Sequence, residues 1–332
     1  MNSYEVVKRA IEFNTPDRLP CEFGTLGFSD THWVSWNQIG TGNASKRESL
    51  DEWGCLWVRT EEANMGQVKG HPLIDWSLLD SFQWPNPNDP AFYEGMEQRF
   101  ENSEGKYIIT GIFMLLFERI HSLRGFENAL MDMYIEREKF EFLADKIVEY
   151  DIAIINNISS RFPGRIHGLS FSDDWGTEIA SIISPALWDE LFKPRYKKIF
   201  DAAKKAGWHV WMHSCGKVNE LIESLIETGV DVLNLQQPRA LGIEEIGDRF
   251  SGRVCFSSTC DIQVTLPFLG INEIQEEAKL LLEKWGTEKG GFILSEYGDG
   301  SAIGVPIEKT KAMLEAFRAA DPWKRRTTLN EI

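Results

Sequence analysis

Short runs of β-branched and apolar residues recur along the chain, each followed by a longer stretch with helical spacing of its apolar positions. That alternation predicts parallel strands joined by helices. Strands are expected over 18–23, 107–112, 166–172, 209–213, 230–235, 253–258 and 291–295. The intervening helices carry start and stop chemistry. The stretch 185–206 opens after Ser184 with a proline at its first position and ends at Gly207, and 217–228 ends at Gly229. Helices over 272–285 and 306–320 complete the pattern, with Gly286 closing the first of them. Seven strand–helix repeats in one chain predict a (β/α)8 barrel, an α/β TIM barrel.

Between about 24 and 102 the alternation gives way to sequence rich in Trp, Gly, Asn and Pro, such as Trp84-Pro-Asn-Pro-Asn-Asp-Pro90. This stretch reads as an N-terminal insertion into the barrel, with turns and a small hairpin over 55–60, and as a lid or substrate-facing wall. Trp33, Trp36, Trp53, Trp57 and Trp76 fall in it and could wall an apolar pocket. A barrel accommodates all 332 residues as one domain, so 1–332 is expected to be a single unit.

Composition narrows the function. Apolar residues make up 42% and charged residues 26%, enough for a large core under a soluble surface. The formal charge of −16 argues against nucleic acid and anionic membrane surfaces, both of which call for a basic face. The first residues hold no apolar core of signal-peptide length and no later run approaches a membrane span, so the cytoplasm is the expected location. Five cysteines, Cys21, Cys55, Cys215, Cys255 and Cys260, do not make a disulfide framework; reduced thiols, packed or metal-bound, are expected.

In a β/α barrel the reacting groups sit at the C-terminal strand ends. Those ends are polar here: Asp173 and Asp174, then His213 and Cys215, then Gln236 and Gln237, then Cys260 and Asp261, then Glu296, Tyr297 and Asp299. His213 and Cys215 are two residues apart and can present an imidazole nitrogen and a thiolate to one ion; Cys260 could add a second thiolate and Glu296 a carboxylate. A Cys2His set with an exchangeable fourth position suits catalytic zinc. The alternative is a hydrogen-bonded histidine with two packing cysteines. By strand parity Cys255 is expected to face a covering helix rather than the lumen. Of the two aspartates, one is expected to cap a helix and one to function. His71 and His121 read as structural.

Four ordered motifs, Ser172-Asp-Asp-Trp-Gly-Thr177, His213-Ser-Cys-Gly-Lys-Val218, Gly229-Val-Asp-Val-Leu-Asn-Leu-Gln236 and Cys260-Asp-Ile-Gln-Val-Thr-Leu-Pro267, resemble the uroporphyrinogen decarboxylase superfamily. The resemblance runs from Thr15-Pro-Asp-Arg-Leu-Pro20 to the last helix and implies the same barrel. The superfamily holds decarboxylases and corrinoid- or thiol-directed methyltransferases. Its decarboxylases carry an arginine-rich N-terminal motif, whereas here Pro20 is followed by Cys-Glu-Phe-Gly-Thr-Leu-Gly-Phe, with no arginine until Arg47. The methyltransferase branch resembles this chain in its His-x-Cys pair, which there holds zinc with a cysteine near the last strand. The last-strand stretch here, Ile293-Leu-Ser-Glu-Tyr-Gly-Asp299, has no cysteine, so Cys260 or Glu296 would have to serve. Asp51-Glu-Trp-Gly-Cys55, Asn64-Met-Gly-Gln-Val68 and His71-Pro resemble members that demethylate methoxylated compounds.

What the resemblance implies is an O-demethylase component: a methyltransferase that passes the methyl group of a methoxylated aromatic compound to the cobalt of a separate corrinoid-binding protein. Zinc on His213, Cys215 and Cys260 would assist, with Asp174, Glu296 and Tyr297 as catalytic side chains. The rivals are zinc activation of a thiol acceptor of methylcobalamin, decarboxylation of a polycarboxylate, and a catalytically dead barrel that binds a corrinoid protein. A homodimer is left open.

Overall fold

The computed structural model describes residues 1–38, 47–59, 66–298 and 300–324. Eight short parallel strands form the barrel: β1 (Cys21–Phe23), β2 (Thr31–Trp33), β3 (Tyr107–Ile112), β4 (Gly168–Ser172), β5 (His209–His213), β6 (Val232–Asn234), β7 (Cys255–Ser258) and β8 (Phe292–Ser295). Each pairs with the next from β2 to β8, and β8 pairs with β1. The seam between β1 and β2 is closed by Phe28–Ser29, antiparallel on β1, and by Asp30. The Asp30 N–H donates to Cys21 O (2.8 Å), and its carbonyl accepts from Tyr107 N–H (2.9 Å). Its carboxylate accepts from Cys21 N–H (2.9 Å), the Ser3 hydroxyl (2.7 Å) and Arg18 (2.6 Å), so one buried aspartate ties three elements where the ladder breaks.

The floor of the barrel is a plug. The helix Ser3–Ile11 starts at Asn2, whose side chain caps the Glu5 N–H (2.9 Å). It buries Val7, Ala10 and Ile11 against Tyr107, Ile109, Trp211, Val232, Cys255 and Ile293 inside the strands. A second, larger core fills the space between strands and outer helices. With the floor sealed by apolar side chains, only the opposite, C-terminal mouth can admit a polar ligand.

All seven predicted strands reappear, five of them trimmed at their ends, and the helix expected over 185–206 is two, Pro185–Leu191 and Lys193–Lys205, broken at Phe192 just before Pro194. Ser184 caps the first through Leu187 N–H (3.3 Å). Two expectations change. The stretch 24–102 does not lie wholly outside the barrel, because it supplies β2. The remainder of its described part holds a three-stranded antiparallel sheet, Glu48–Leu50, Leu56–Val58 and Gln67–Gly70, where the hairpin over 55–60 was expected; Thr60 lies outside the described residues. The parity reading of Cys255 is also reversed. Cys255 lies inside the barrel on its floor, and Cys260 faces the outer helices. The strand ends at Ser258, so alternation cannot be carried across to position 260.

Candidate metal centre at the barrel mouth

Strands β4 and β5 keep pairing beyond their formal ends. Asp173 N–H donates to His213 O (3.1 Å), Gly176 N–H to Cys215 O (3.1 Å) and Lys217 N–H to Thr177 O (2.7 Å), while Trp175 N–H donates to the Ser214 hydroxyl (2.9 Å). The two loops touch at Gly176 and Gly216. A Cβ on Gly216, whose φ is +77°, would lie 2.3 Å from the Gly176 carbonyl carbon. Only paired glycines permit that approach, which explains why Asp-Asp-Trp-Gly and His-Ser-Cys-Gly occur together.

The clasp brings three donors to one spot. Asp174, His213 and Cys215 each offer a ligand atom, all within 4.8 Å of one another. Cys215 Sγ is 3.3 Å from His213 Nε2, and Asp174 Oδ1 is 3.8 Å from the same nitrogen and accepts from Cys215 N–H (2.7 Å). Two ligands of one tetrahedral zinc would be about 3.5 Å apart, from bond lengths of ~2.0–2.3 Å. The two edges to His213 Nε2 match that separation, and the third lies within 4.8 Å.

The imidazole is aimed by Asn234. Asn234 Nδ2 donates to Ser257 O (3.2 Å) and Ser257 Oγ (3.1 Å), which turns Oδ1 toward His213 Nδ1 at 2.6 Å. An amide oxygen only accepts, so Nδ1 carries the proton and Nε2 presents a lone pair to the group. Electrostatics asks for a cation in the same place. Burial, then the Asp174 charge, push the Cys215 thiol well up. Burial, then Asp173 and Asp174, push the Glu118 carboxyl well up as well. A thiol, an aspartate and an imidazole lone pair crowded together are a donor set that a divalent metal would fit, displacing the thiol proton.

The sequence-predicted residues divide. His213 and Cys215 come together, joined by Asp174. Cys260 does not join them: its thiol lies against Ile274 O (3.5 Å) and its N–H against Met313 Sδ (3.4 Å), in the layer between strands and outer helices. Glu296 and Tyr297 stand at the end of β8, across the barrel from β4 and β5. Asp299 and Asn64–Met65 lie outside the described residues. Asp173 is the structural member of its pair, but of a different helix from the one that follows it. Its carboxylate accepts from Leu116, Phe117 and Glu118 N–H (3.1, 2.9 and 2.7 Å) at the start of Phe117–Arg124, and from the Tyr196 hydroxyl. That cap swings Glu118 to the mouth, where its carboxylate accepts from Ser172 Oγ (3.1 Å). Sequence reasoning passed over Glu118 and Asn234; Asn234 lay within a quoted motif, while Glu118 has no local signal.

Fold and site together define a β/α barrel with a nitrogen, oxygen and sulfur donor set at its C-terminal mouth. Residues 101–320 match the family model described as Uroporphyrinogen decarboxylase (URO-D), and the chain belongs to that family. It is 26% identical over 141 residues to the Methylcobamide:CoM methyltransferase MtaA of Methanosarcina barkeri; the match takes in 41% of this chain and only 37% of that relative. Among solved structures, a methyltransferase from Methanosarcina mazei superposes with a TM-score of 0.60 at 18% identity, over 80% of this chain and 75% of that one. Among the described residues no helix is long and apolar enough to cross a membrane.

Proposed function

We propose that this protein is a methyltransferase that moves the methyl group of a methoxylated aromatic compound to the cobalt of a separate corrinoid-binding protein. The observation that carries the reading is the Asp174, His213 and Cys215 donor set, with the His213 lone pair fixed toward it, at the open end of a barrel whose other end is plugged. Family membership and the likeness to a relative named a methylcobamide:CoM methyltransferase support methyl transfer with a corrinoid over other barrel chemistries.

In this reaction the methyl carbon passes to the acceptor and the electron pair of the C–O bond stays on oxygen, a poor leaving group unless protonated or held by a cation. Asp174, His213 and Cys215 would hold zinc, which would supply Lewis-acid stabilisation of that oxygen. Asn234 keeps the His213 proton on Nδ1 throughout. Glu118, whose carboxyl is pushed well up by burial and then by Asp173 and Asp174, is the proposed proton source of the chain itself on this side of the mouth. Asp174 is the proposed reacting side chain at the metal, while Glu296 and Tyr297, at the β8 end across the barrel, are proposed to face the substrate rather than the departing methyl group. The acceptor protein docks at the mouth, opposite the floor that the first helix plugs.

A second reading, transfer from methylcobalamin to a thiol, is favoured by the name of the curated relative. Decarboxylation of a polycarboxylate is disfavoured, since Arg18, just before β1, is committed to Asp30. Incubating the purified chain with zinc, cob(I)alamin and a panel of methoxyaromatics tests the proposal. Methylcobalamin formation is expected; turnover of methylcobalamin with thiols alone would favour the second reading.

A further inference from the structure

Across the mouth from the donor set lies a second polar group that the metal chemistry leaves unused. Glu22 and Ser295 pair between β1 and β8. Ile293, two residues before Ser295, belongs to the apolar floor inside the barrel, so Ser295 and Glu22 point into the lumen one level above it. Ser295 is only 2% exposed and its hydroxyl has no partner among the described residues. Glu296 accepts from Thr25 N–H (2.7 Å) with one carboxylate oxygen, while the other is buried with no hydrogen-bond partner among the described residues. Glu22 accepts from Trp33 Nε1 (2.7 Å) and Thr31 Oγ1 (3.2 Å), which fixes the Trp33 ring. Trp33 as a residue is 47% exposed, and its ring crosses Gly111 of β3, where a Cβ would come within 3.1 Å of Cζ3.

Unmatched buried oxygens are costly, about 1–3 kcal/mol each, unless a ligand completes them. Two carboxylates beside an exposed aromatic face are complementary to a donor-rich or cationic group. We propose that this wall of Glu22, Glu296, Ser295 and Trp33 is the specificity subsite for the end of the substrate remote from the transferred methyl. It takes a head group that donates hydrogen bonds and bears no negative charge, an ammonium or a hydroxyl, on an aromatic body laid against Trp33. Carboxylate and sulfonate heads are excluded, because their oxygens only accept hydrogen bonds and would meet the carboxyl oxygens of Glu22 and Glu296 with no donor of their own. The proposal rests on the reading of the mouth as the methyl-donor site.

Calorimetry of the full chain with zinc and three matched ligands, 4-methoxybenzylamine, 4-methoxyphenol and 4-methoxybenzoate, tests it. The amine and the phenol are expected to bind at least about tenfold tighter than the benzoate, the worth of one charge-assisted hydrogen bond. Glu296→Gln should cut the amine's advantage by about tenfold, with an unchanged melting curve confirming the fold. Equal affinities, tighter benzoate binding, no binding of any of the three, or indifference to Glu296→Gln would overturn the subsite. If the binding order holds while cob(I)alamin is never methylated, the subsite stands and the functional proposal alone falls.

Discussion

Replacing Asn234 by alanine tests whether the imidazole is aimed at a metal. The 2.6 Å contact from His213 Nδ1 to Asn234 Oδ1 holds the ring proton away from the donor set, and the Ser257 contacts hold the amide. Without that acceptor the proton is free to sit on Nε2, which removes the ligand lone pair, and the ring loses its orientation. Loss of such an outer partner weakens metal binding about 10- to 100-fold, or about 1.4–2.8 kcal/mol. Competition against a chelator, with zinc titrated at fixed pH, reads the change directly. Ser257→Ala is the control: it removes one of two contacts to Nδ2 and leaves the Ser257 carbonyl in place, so a change under about threefold is expected, less than the net worth of one typical hydrogen bond. Zinc affinity of Asn234→Ala within twofold of the parent would refute the argument that Asn234 sets the histidine.

Other perturbations separate the scaffold from the site. Gly216→Ala forces a side chain into left-handed backbone and against Gly176, and should cost about 2–5 kcal/mol from strain and overpacking together, read as a lowered urea midpoint with parallel loss of zinc. Arg119→Met strips the buried Asp51 of its 2.6 Å ion pair and should cost about 3–5 kcal/mol in the same assay. His167 carries a pH dependence far from the mouth: its Nδ1 accepts from Ile108 N–H (2.8 Å), and burial, with nearby His209 and Lys8, pushes it down to about 4. Unfolded histidine, at about 6.5, takes up a proton that the folded ring refuses. Stability should therefore be full above about pH 6.5 and fall as the pH drops from there toward 4, and His167→Gln should flatten that slope in unfolding curves taken across the window.

The barrel was legible because parallel strands buried on both faces read as apolar runs, and runs such as 107–112 and 209–213 coincide with β3 and β5. Strand β2 was hidden: Thr31-His-Trp33 is three residues long, lies among turn-forming residues, and gains its place only by pairing with Tyr107–Ile109. The pair of candidate ligands on β5 was legible because positions 213 and 215 are close in any conformation. The third was not, because Asp174 reaches Cys215 through a loop clasp and Cys260 leaves its strand on the wrong side. Glu118 was illegible for a related reason. It is one acidic residue at the start of a helix, and only the cap provided by Asp173, 55 residues away, turns it to the mouth.

The central claim is that Asp174, His213 and Cys215, and not Cys260, hold the metal through which the mouth acts. Elemental analysis of the purified full chain and its variants tests it most directly. One zinc per chain is expected in the parent and in Cys260→Ala, with loss of zinc in Cys215→Ala and in Asp174→Asn. Zinc retained by Asp174→Asn and lost from Cys260→Ala, or a parent chain that takes up no zinc, would contradict the assignment.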